Sequence, residues 1–485
     1  MVTEMDALTR PDTGIAQVVR EGYCVGCGAC SISSGGRVRL QLDADGVMRA
    51  RADDESVLTN PALSATCPFG DAAMNEDRLG DILYPSAAAH PELGRYLDTW
   101  AAHVTDGGFR ERGSSGGMGS WILERLLALE EVDAVVHVAE APAPGALFAY
   151  RISTTMEQVR AGAKSRYYPI TLAEVVQQVK ARPGRYAFTG VPCFIKAVRL
   201  LAKADPEFAP SVAYCIGLVC GHLKSAGFAE FLAWQMGVPP TALSRFDFRV
   251  KMPGRAANRY GASAHGAIGG HVIDAVAPMA QLYGQDWGMG LFKLKACDYC
   301  DDVVAETADL TVGDAWLPRY VQDSGGTNLV IVRHERLRAL LTQAKDQGLL
   351  HIEPLSPEEA VQSQASGFAH RREGLAFRLA RADEAGIWRP LKRVQAATGQ
   401  SKTFIRRHEL RIQLARESHA AFLEAKRQGT LKPFFDRVVP LAEAYRDLTR
   451  TPWKRIAVRL RRWLKGDPVV RAALRNSTKH KEQAS

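Results

Sequence analysis

The chain has 485 residues, 46% hydrophobic and 24% charged, which are the proportions of a globular protein large enough for two or three hydrophobic cores. They exclude a disordered, collagen-like or coiled-coil protein, and no run approaches the ~18 consecutive apolar residues of a membrane helix. The N-terminus lacks the basic-then-apolar pattern of a signal peptide. We therefore expect a cytoplasmic protein, in which spaced cysteines are more typical of metal ligands than of disulfides.

The net charge of +9 is concentrated at the C-terminus, where residues 447–485 carry eleven basic and three acidic side chains. The preceding body is nearly neutral. A general attraction of the body to nucleic acid is therefore not expected, and contact with an acidic partner or a membrane periphery would belong to the C-terminal region.

Composition and pattern divide the chain into three predicted domains, at residues 1–90, 95–375 and 376–485. The first carries four cysteines and a predicted hairpin with its turn at 43–46. Because this section is too small for a generous core, we expect a bound metal to hold it together.

The middle section repeats an apolar strand, a glycine-containing turn and a helical pattern, which predicts an α/β fold. Strands are predicted at 132–138, 185–190, 211–219, 308–313 and 328–332, and helices at 121–127, at 194–201 and after residue 222.

The composition of residues 376–485 predicts helices. A basic amphipathic helix is predicted from the apolar face Trp453, Ile456, Ala457, Leu460, Trp463 and Leu464 and the basic residues Arg459, Arg461, Arg462 and Lys465. Either this helix packs on the body, or it attaches to an anionic membrane or an acidic partner.

Four cysteines in the first section have the spacing of a cluster site. Cys24, Cys27 and Cys30 lie in one glycine-containing loop, and Cys67 is followed by proline. The ligand that a two-cluster ferredoxin would place next is replaced by Ser34, so one [4Fe-4S] cluster fits this section better than two. Tetrahedral zinc is the alternative, although zinc ribbons favour two separated pairs of cysteines.

The other five cysteines lie in the α/β section. Cys193 and Cys220 each follow a predicted strand, and Cys297 and Cys300 form a chelating pair in a loop. These four are plausible ligands of a second [4Fe-4S] cluster, although Cys193 or Cys220 taken alone would be better explained as a core thiol. Cys215, inside an apolar strand, is predicted to be an ordinary buried thiol.

Two further segments favour a phosphate-bearing cofactor. Residues 113–117, Gly-Ser-Ser-Gly-Gly, precede a predicted helix and offer amides, hydroxyls and the positive end of the helix dipole. Residues 164–168 add two cations, a hydroxyl and aromatic rings, although a solvated loop would have the same composition. Since iron–sulfur clusters carry single electrons, a protein with two clusters needs a partner that exchanges pairs, and flavin is the usual one.

Five segments, at 113–117, 164–167, 189–193, 217–222 and 297–314, together resemble the beta-subunit family of coenzyme F420 hydrogenase and dehydrogenase. The resemblance covers about residues 20–335 and leaves the region beyond about 376 uncovered. It implies an iron–sulfur oxidoreductase that contains FAD, with a ferredoxin-like N-terminal segment in many members. Segments 221–225 and 313–318 are most similar to bacterial members associated with polysaccharide gene clusters.

The resemblance also implies roles for particular residues. It assigns Cys193, Cys220, Cys297 and Cys300 to a cluster near the flavin. The implied FAD contacts are Ser114, Ser115, Gly116, Gly117, Lys164, Ser165, Arg166, Tyr167, Thr189, Gly190 and Pro192. His222 and Lys224 are candidate proton donors, and Asp314 could position flavin or substrate. A satisfied histidine near the cluster and a turn residue at a strand end are the structural alternatives for His222 and Asp314.

The predicted reaction begins at a small carrier such as reduced ferredoxin. Electrons would pass through the two clusters to FAD and leave as hydride to an organic acceptor, coenzyme F420 or another small molecule; the reverse direction is equally compatible with the sequence. Two other hypotheses remain. One is a zinc-binding, non-enzymatic module whose basic C-terminal helices contact nucleic acid or membrane, and the other is a scaffold that keeps the fold without cofactors.

Overall fold

The computed structural model describes residues 13–142, 145–451, 453–455 and 466–478. The strands are β1 Val38–Leu42, β2 Met48–Ala52, β3 Ala88–His90, β4 Gly94–Tyr96, β5 Asp98–Val104, β6 Ala134–Glu140, β7 Phe148–Ser153, β8 Tyr186–Gly190, β9 Val212–Leu218, β10 Leu243–Val250, β11 Gly261–Ile268, β12 His271–Pro278, β13 Leu310–Asp314, β14 Asn328–Val332 and β15 Leu350–Pro354.

The α-helices are α1 Ala16–Arg20, α2 Ala29–Ser33, α3 Pro61–Thr66, α4 Glu76–Leu83, α5 Phe109–Arg112, α6 Met118–Ala128, α7 Met156–Ala161, α8 Ala173–Ala181, α9 Pro192–Ala204, α10 Ala226–Gln235, α11 Pro318–Val321, α12 Glu335–Asp346, α13 Pro357–Ser363, α14 Ala365–Arg371, α15 Glu373–Glu384, α16 Lys402–Gln428, α17 Lys432–Asp447 and α18 Pro468–Thr478. Short 3₁₀ helices occupy Glu55–Thr59, Ala209–Ser211, Met279–Gln281, Trp287–Met289 and Lys295–Tyr299.

A mixed sheet of eight strands, in the order β15-β5-β14-β13-β9-β8-β6-β7, forms the centre of the fold. The four strands β13, β9, β8 and β6 are parallel to one another, and β14, β5, β15 and β7 pair antiparallel with their neighbours. Their apolar runs are typical of parallel strands covered on both faces. As a result, β5, β13, β9 and β8 end at the same edge of the sheet, and β14 begins there. This edge carries most of the candidate residues.

The observed elements agree with the predicted α/β pattern. The predicted strands at 185–190, 211–219 and 328–332 correspond to β8, β9 and β14, and the predicted helices at 121–127 and 194–201 lie within α6 and α9. A three-stranded antiparallel sheet, β10-β11-β12, was not predicted. β10 alternates apolar and polar residues, but β11 consists largely of glycine and alanine and no residue of β12 is buried, so the sheet lacks the continuous apolar runs that predicted the other strands.

The N-terminal section packs directly on the central domain. Its hairpin β1-β2 turns at 43–46 as predicted, and its buried Val38 and Leu63 belong to the same apolar core as Val176 of α8 and Phe194 of α9. The amide of Leu172 donates to the carbonyl of Cys27 at 2.8 Å. The core around the first cysteines is therefore shared with the α/β domain.

The described part of the C-terminal region is helical and packs on α10. Phe434 of α17 lies 4.1 Å from Phe231, ring centre to ring centre, and the Trp234 indole donates to the carbonyl of Ser477 in α18 at 3.3 Å. The predicted basic amphipathic helix lies almost entirely outside the described residues; Trp453, at its start, is 81% exposed. Within the described ranges, no helix combines the length and apolarity needed to cross a membrane.

Candidate functional site: two cysteine sets and a basic glycine-rich loop

The first cysteine set surrounds one cavity. Cys24, Cys27, Cys30 and Cys67 all line a space of about 20 Å³ between α1, α2 and the end of α3. The loop needs glycine at its bends, because Gly28 has a φ of 91° and a Cβ there would lie 2.4 Å from the Thr171 hydroxyl. The cysteine spacing and the intervening glycine together bring the four thiols to one place.

Backbone amides point at the sulfurs of this set. The amide of Ala50 donates to Cys24 Sγ at 3.4 Å. Burial raises the pKa of the Cys67 thiol to about 12, and hydrogen bonds from the amides of Phe69 and Gly70 act in the opposite direction. Such amide donors stabilise sulfur that carries negative charge, as it does in a metal-bound thiolate.

The second cysteine set lies at the edge where the parallel strands end. Cys193 is the second residue of α9, directly after β8, and Cys220 follows β9. Burial is the main cause that raises the pKa of the Cys193 thiol, and the next contributions come from the thiols of Cys220, Cys300 and Cys297. Cys193 and Cys300 also pack against the hydrophobic core that contains Cys27 and Cys30 of the first set, so the two sets are neighbours.

Cys215 is separate from both sets. It is fully buried within β9, and its amide donates a hydrogen bond at 2.6 Å to the carboxylate of Asp309, which also pairs with Arg199. This agrees with the prediction of an ordinary buried thiol. It also shows that Asp309 has a structural role.

The donor chemistry of the two sets fits iron–sulfur clusters. Among the residues described, no group of three or more His, Cys, Asp or Glu side chains is placed to hold a metal ion. The thiols instead surround a cavity in the first set and meet between loops in the second, where the Leu223 amide donates to Cys297 Sγ at 3.2 Å. All nine cysteines are free.

The glycine-rich loop joins α5 to α6 at the same sheet edge. Gly116 is closely packed, since a Cβ there would lie 2.7 Å from Asn328 Oδ1, and Gly117 begins α6 with a φ of 87°. The hydroxyl of Ser114 accepts a hydrogen bond from the Ser165 amide at 2.9 Å. The structure thus brings together the two segments that were predicted to contact flavin.

Basic side chains from β10 hold this loop. Arg249 donates to the Ser114 carbonyl at 3.2 Å and pairs with Asp314 at 3.1 Å, while Lys251 donates to the Ser115 carbonyl at 2.9 Å. Lys164 donates to the Arg249 carbonyl at 3.2 Å. Burial, followed by nearby arginine and lysine, lowers the pKa of Lys251 to about 8. The loop therefore lies in a positive environment suited to an anionic cofactor.

Sequence analysis missed Arg249 and Lys251. Their signal was the alternation of apolar and polar residues at 246–251, which is typical of a strand. Nothing local indicated that this strand would reach the glycine-rich loop, more than 130 residues away. Tyr260, whose ring lies 4.2 Å from the Arg249 guanidinium, was missed for the same reason.

Aromatic contacts connect this region to the strand-end residues His222 and Lys224. Trp287 lies 4.8 Å from Tyr167 and 4.7 Å from His222, ring centre to ring centre, and the Lys224 ammonium lies 4.8 Å from the same indole. Burial, followed by the charge of Lys224, lowers the pKa of His222 well below its usual value. Burial likewise lowers the pKa of Lys224. Both groups therefore have a reduced tendency to carry charge.

The remaining predicted contacts lie elsewhere. Thr189, Gly190 and Pro192 surround the junction of β8 and α9, beside Cys193, and the buried Thr189 hydroxyl has no hydrogen-bond partner among the described residues. Arg166 lies 4.8 Å from the Phe148 ring and donates to the Ala163 carbonyl. In the described part of the chain, no hydrogen bond or ion pair joins these residues to the glycine-rich loop.

Two sequence profiles of one protein family match the chain. The sequence profile for the N-terminal part of the coenzyme F420 hydrogenase/dehydrogenase beta subunit matches residues 99–177, and the profile for its C terminus matches residues 184–358. A solved chain from the F420-reducing [NiFe] hydrogenase complex of Methanosarcina barkeri is 17% identical, with a TM-score of 0.46 over 63% of this chain and 98% of that one. A search of curated protein sequences finds no match. Since the two profiles together match just over half of its residues, the chain belongs to the coenzyme F420 hydrogenase/dehydrogenase beta-subunit family.

Proposed function

We propose that the chain is an iron–sulfur flavoprotein oxidoreductase that passes electrons between a small one-electron carrier, such as ferredoxin, and an organic hydride acceptor or donor. The observation that carries this proposal is the arrangement of the cysteines. Two four-cysteine sets are neighbours, and the second shares a sheet edge with a glycine-rich loop in a basic environment. When bound, two [4Fe-4S] clusters would carry electrons singly, and FAD would exchange electron pairs as hydride.

The residues divide into two groups by what they would hold. Cys24, Cys27, Cys30 and Cys67 would bind the cluster that meets the external carrier, and Cys193, Cys220, Cys297 and Cys300 would bind the second cluster. Residues 114–117 and 164–167 would hold FAD, with the phosphates at the amides of the glycine-rich loop. Arg249 and Lys251 would add positive charge there.

His222, Lys224 and Asp314 are assigned different tasks. Asp314 pairs with Arg249 and so fixes the guanidinium beside the glycine-rich loop. His222 and Lys224 are both buried against Trp287 and are the candidate proton-exchanging groups near the flavin. The lowered pKa of Lys224 makes its ammonium a better proton donor, whereas the lowered pKa of His222 favours the neutral imidazole, which would act as a proton acceptor. The acceptor would be the deazaflavin coenzyme F420 or another small organic molecule.

The first experiment is an absorption spectrum of protein purified without oxygen, with iron, sulfide, zinc and flavin quantified on the same sample. About eight irons and one FAD per chain, with a thiolate-to-iron band that bleaches on reduction, would support the proposal. Zinc with neither flavin nor colour would overturn it and favour a zinc-binding module with a basic C-terminus.

The order of electron transfer is tested by Cys27→Ala. This change should remove one cluster, about half of the iron, and abolish turnover that depends on the external carrier, while dithionite still reduces the flavin. Cys215→Ala is the matched control, because this thiol lies outside both sets, and it should retain all the iron. Carrier-dependent turnover in Cys27→Ala would show that the first set is not the point of entry.

A further inference from the structure

Arg371 is a fully buried cation for which no acidic partner is found among the described residues. It ends α14, beyond the last residue matched by the family profiles, and is 1% exposed. Its Nη2 atom donates to the Gly221 carbonyl at 2.9 Å, while the Nε and Nη1 atoms are buried without a hydrogen-bond partner. A buried charge that lacks a counter-charge is costly, so this position needs an anion.

Two other buried arginines of this protein have that counter-charge. Arg249 pairs with Asp314 at 3.1 Å, and Arg199 pairs with Asp309 at 2.7 Å. The contrast with Arg371 indicates an anion that the protein chain alone does not supply.

The second cysteine set is next to Arg371. The carbonyl that accepts from Arg371 belongs to Gly221, directly after Cys220. Burial lowers the pKa of Arg371, but the Cys300 and Cys220 thiols raise it by more, and the net change is upward. The side of the guanidinium that carries Nε and Nη1 therefore lies beside the sulfurs of Cys220 and Cys300.

We propose that Arg371 is a positioning residue for the second cluster, where its guanidinium balances the negative charge of the bound cluster and raises its reduction potential. This inference rests on the proposed function. Four cysteine thiolates would make a bound cluster anionic, and each electron held there would add one negative charge. Arg371 would keep its proton, and its Nε and Nη1 atoms would be free to donate hydrogen bonds to sulfur.

The described residues around the first set provide no equivalent free charge. Lys196 acts on the Cys67 thiol, but its ammonium is already paired with Glu76 at 3.1 Å. The second cluster should therefore have the higher potential of the two, which favours electron flow from the first set toward the flavin.

The test uses the complete anaerobic protein, with iron and FAD contents and the midpoint potential of each cluster followed by electron paramagnetic resonance. Arg371→Met should shift the midpoint potential of one cluster to a more negative value and leave the other unchanged. Arg371→Lys keeps the positive charge but loses the planar guanidinium and its several N–H donors. Its midpoint potential should therefore shift less than in Arg371→Met, in the same direction. Arg381→Met, which removes an exposed arginine of α15 that pairs with Glu384, is the control and should shift neither potential.

Each outcome decides the inference. Loss of one cluster alone from Arg371→Met would also support it, because the anion would then have lost its counter-charge. Unchanged potentials in Arg371→Met would overturn it. If the methionine variant does not fold, the lysine variant decides, and wild-type potentials there would overturn the inference. Absence of iron from the wild-type protein would instead overturn the proposed function.

Discussion

Asp314 shows why single residues of this site could be found from sequence but not understood from it. The family resemblance singled it out, yet a turn residue at the end of a strand would have looked the same. The structure pairs it with Arg249, which lies 65 positions earlier in the chain and on a different sheet. The cysteines were easier to predict, because their spacing alone indicates metal binding. Arg371 and Trp287 had no such local signal.

The pair between Asp314 and Arg249 leads to a stability prediction. Asp314→Asn keeps the shape of the side chain but leaves a buried guanidinium without its carboxylate, which should cost about 3 kcal/mol and lower both the melting temperature and the FAD content. Asp323→Asn is the control, because this half-exposed carboxylate pairs with Arg110 at the protein surface and should cost less than ~1 kcal/mol. Equal losses in the two variants would contradict the argument.

His137 leads to a prediction about acid stability. It lies on β6, bonds the Ser153 hydroxyl at 2.8 Å, and burial lowers its pKa to about 4. An unfolded histidine has a pKa near 6.5, so between these values the unfolded chain binds more protons and stability falls as the pH falls. For this one group the loss should reach about 2 kcal/mol near pH 5.

The measurement is the melting temperature of wild type and His137→Gln at about pH 7 and about pH 5. The variant should start lower, because it changes a buried hydrogen bond, but should lose less on acidification. His271→Gln, on the exposed end of β12, should behave like wild type at both pH values. An unchanged acid response in His137→Gln would show that this histidine is not the sensitive group.

At the scale of elements, hydrophobic pattern predicted the short apolar strands that turns follow, and it missed β5, β7 and β15 of the central sheet and the whole of the sheet β10-β11-β12. β8, β9 and β14 are short apolar runs followed by turns, and their bounds agree with the prediction within two residues. No continuous apolar run marks β10 to β12, whose sheet is exposed to solvent at Val272 and Val276 of β12. Their position over the glycine-rich loop depends on tertiary packing, which pattern does not encode.

The glycine-rich loop and α6 provide a matched pair of substitutions. In Gly116→Ala, the new Cβ would lie 2.8 Å from the Ala102 carbonyl, so the loop must shift, and we expect the FAD content to fall several-fold. In Gly119→Ala, at the second residue of α6, the new Cβ meets no atom within 4 Å, and alanine in a helix is favoured by up to about 1 kcal/mol. FAD per chain and melting temperature measure both effects. Full FAD occupancy in Gly116→Ala would show that the loop is not part of the flavin site.

At the scale of the whole molecule, charge is distributed unevenly along the chain. Residues 13–90, around the first cysteine set, contain six arginines and ten acidic residues, whereas the basic excess of the chain lies beyond residue 447. Sequence composition located this asymmetry. The sequence could not show that α16 to α18 pack on α10. The amphipathic pattern of a helix indicates which face is buried, but not which element that face contacts.

The predicted domain boundary at residue 90 can be tested directly. The cysteine spacing suggested a small section held together by metal. The apolar core of this section, however, also contains Leu172, Val179 of α8 and Val198 of α9. Residues 1–90 expressed alone would expose that shared surface and lose the hydrogen bond from Leu172 to Cys27. After anaerobic reconstitution with iron and sulfide, we expect this fragment to retain less than one cluster per chain, while the full chain retains two. The opposite result would be a fragment that stably holds about four irons and resists proteolysis as well as the full chain does. It would show that cluster binding stabilises this section, and that the section folds without the shared core.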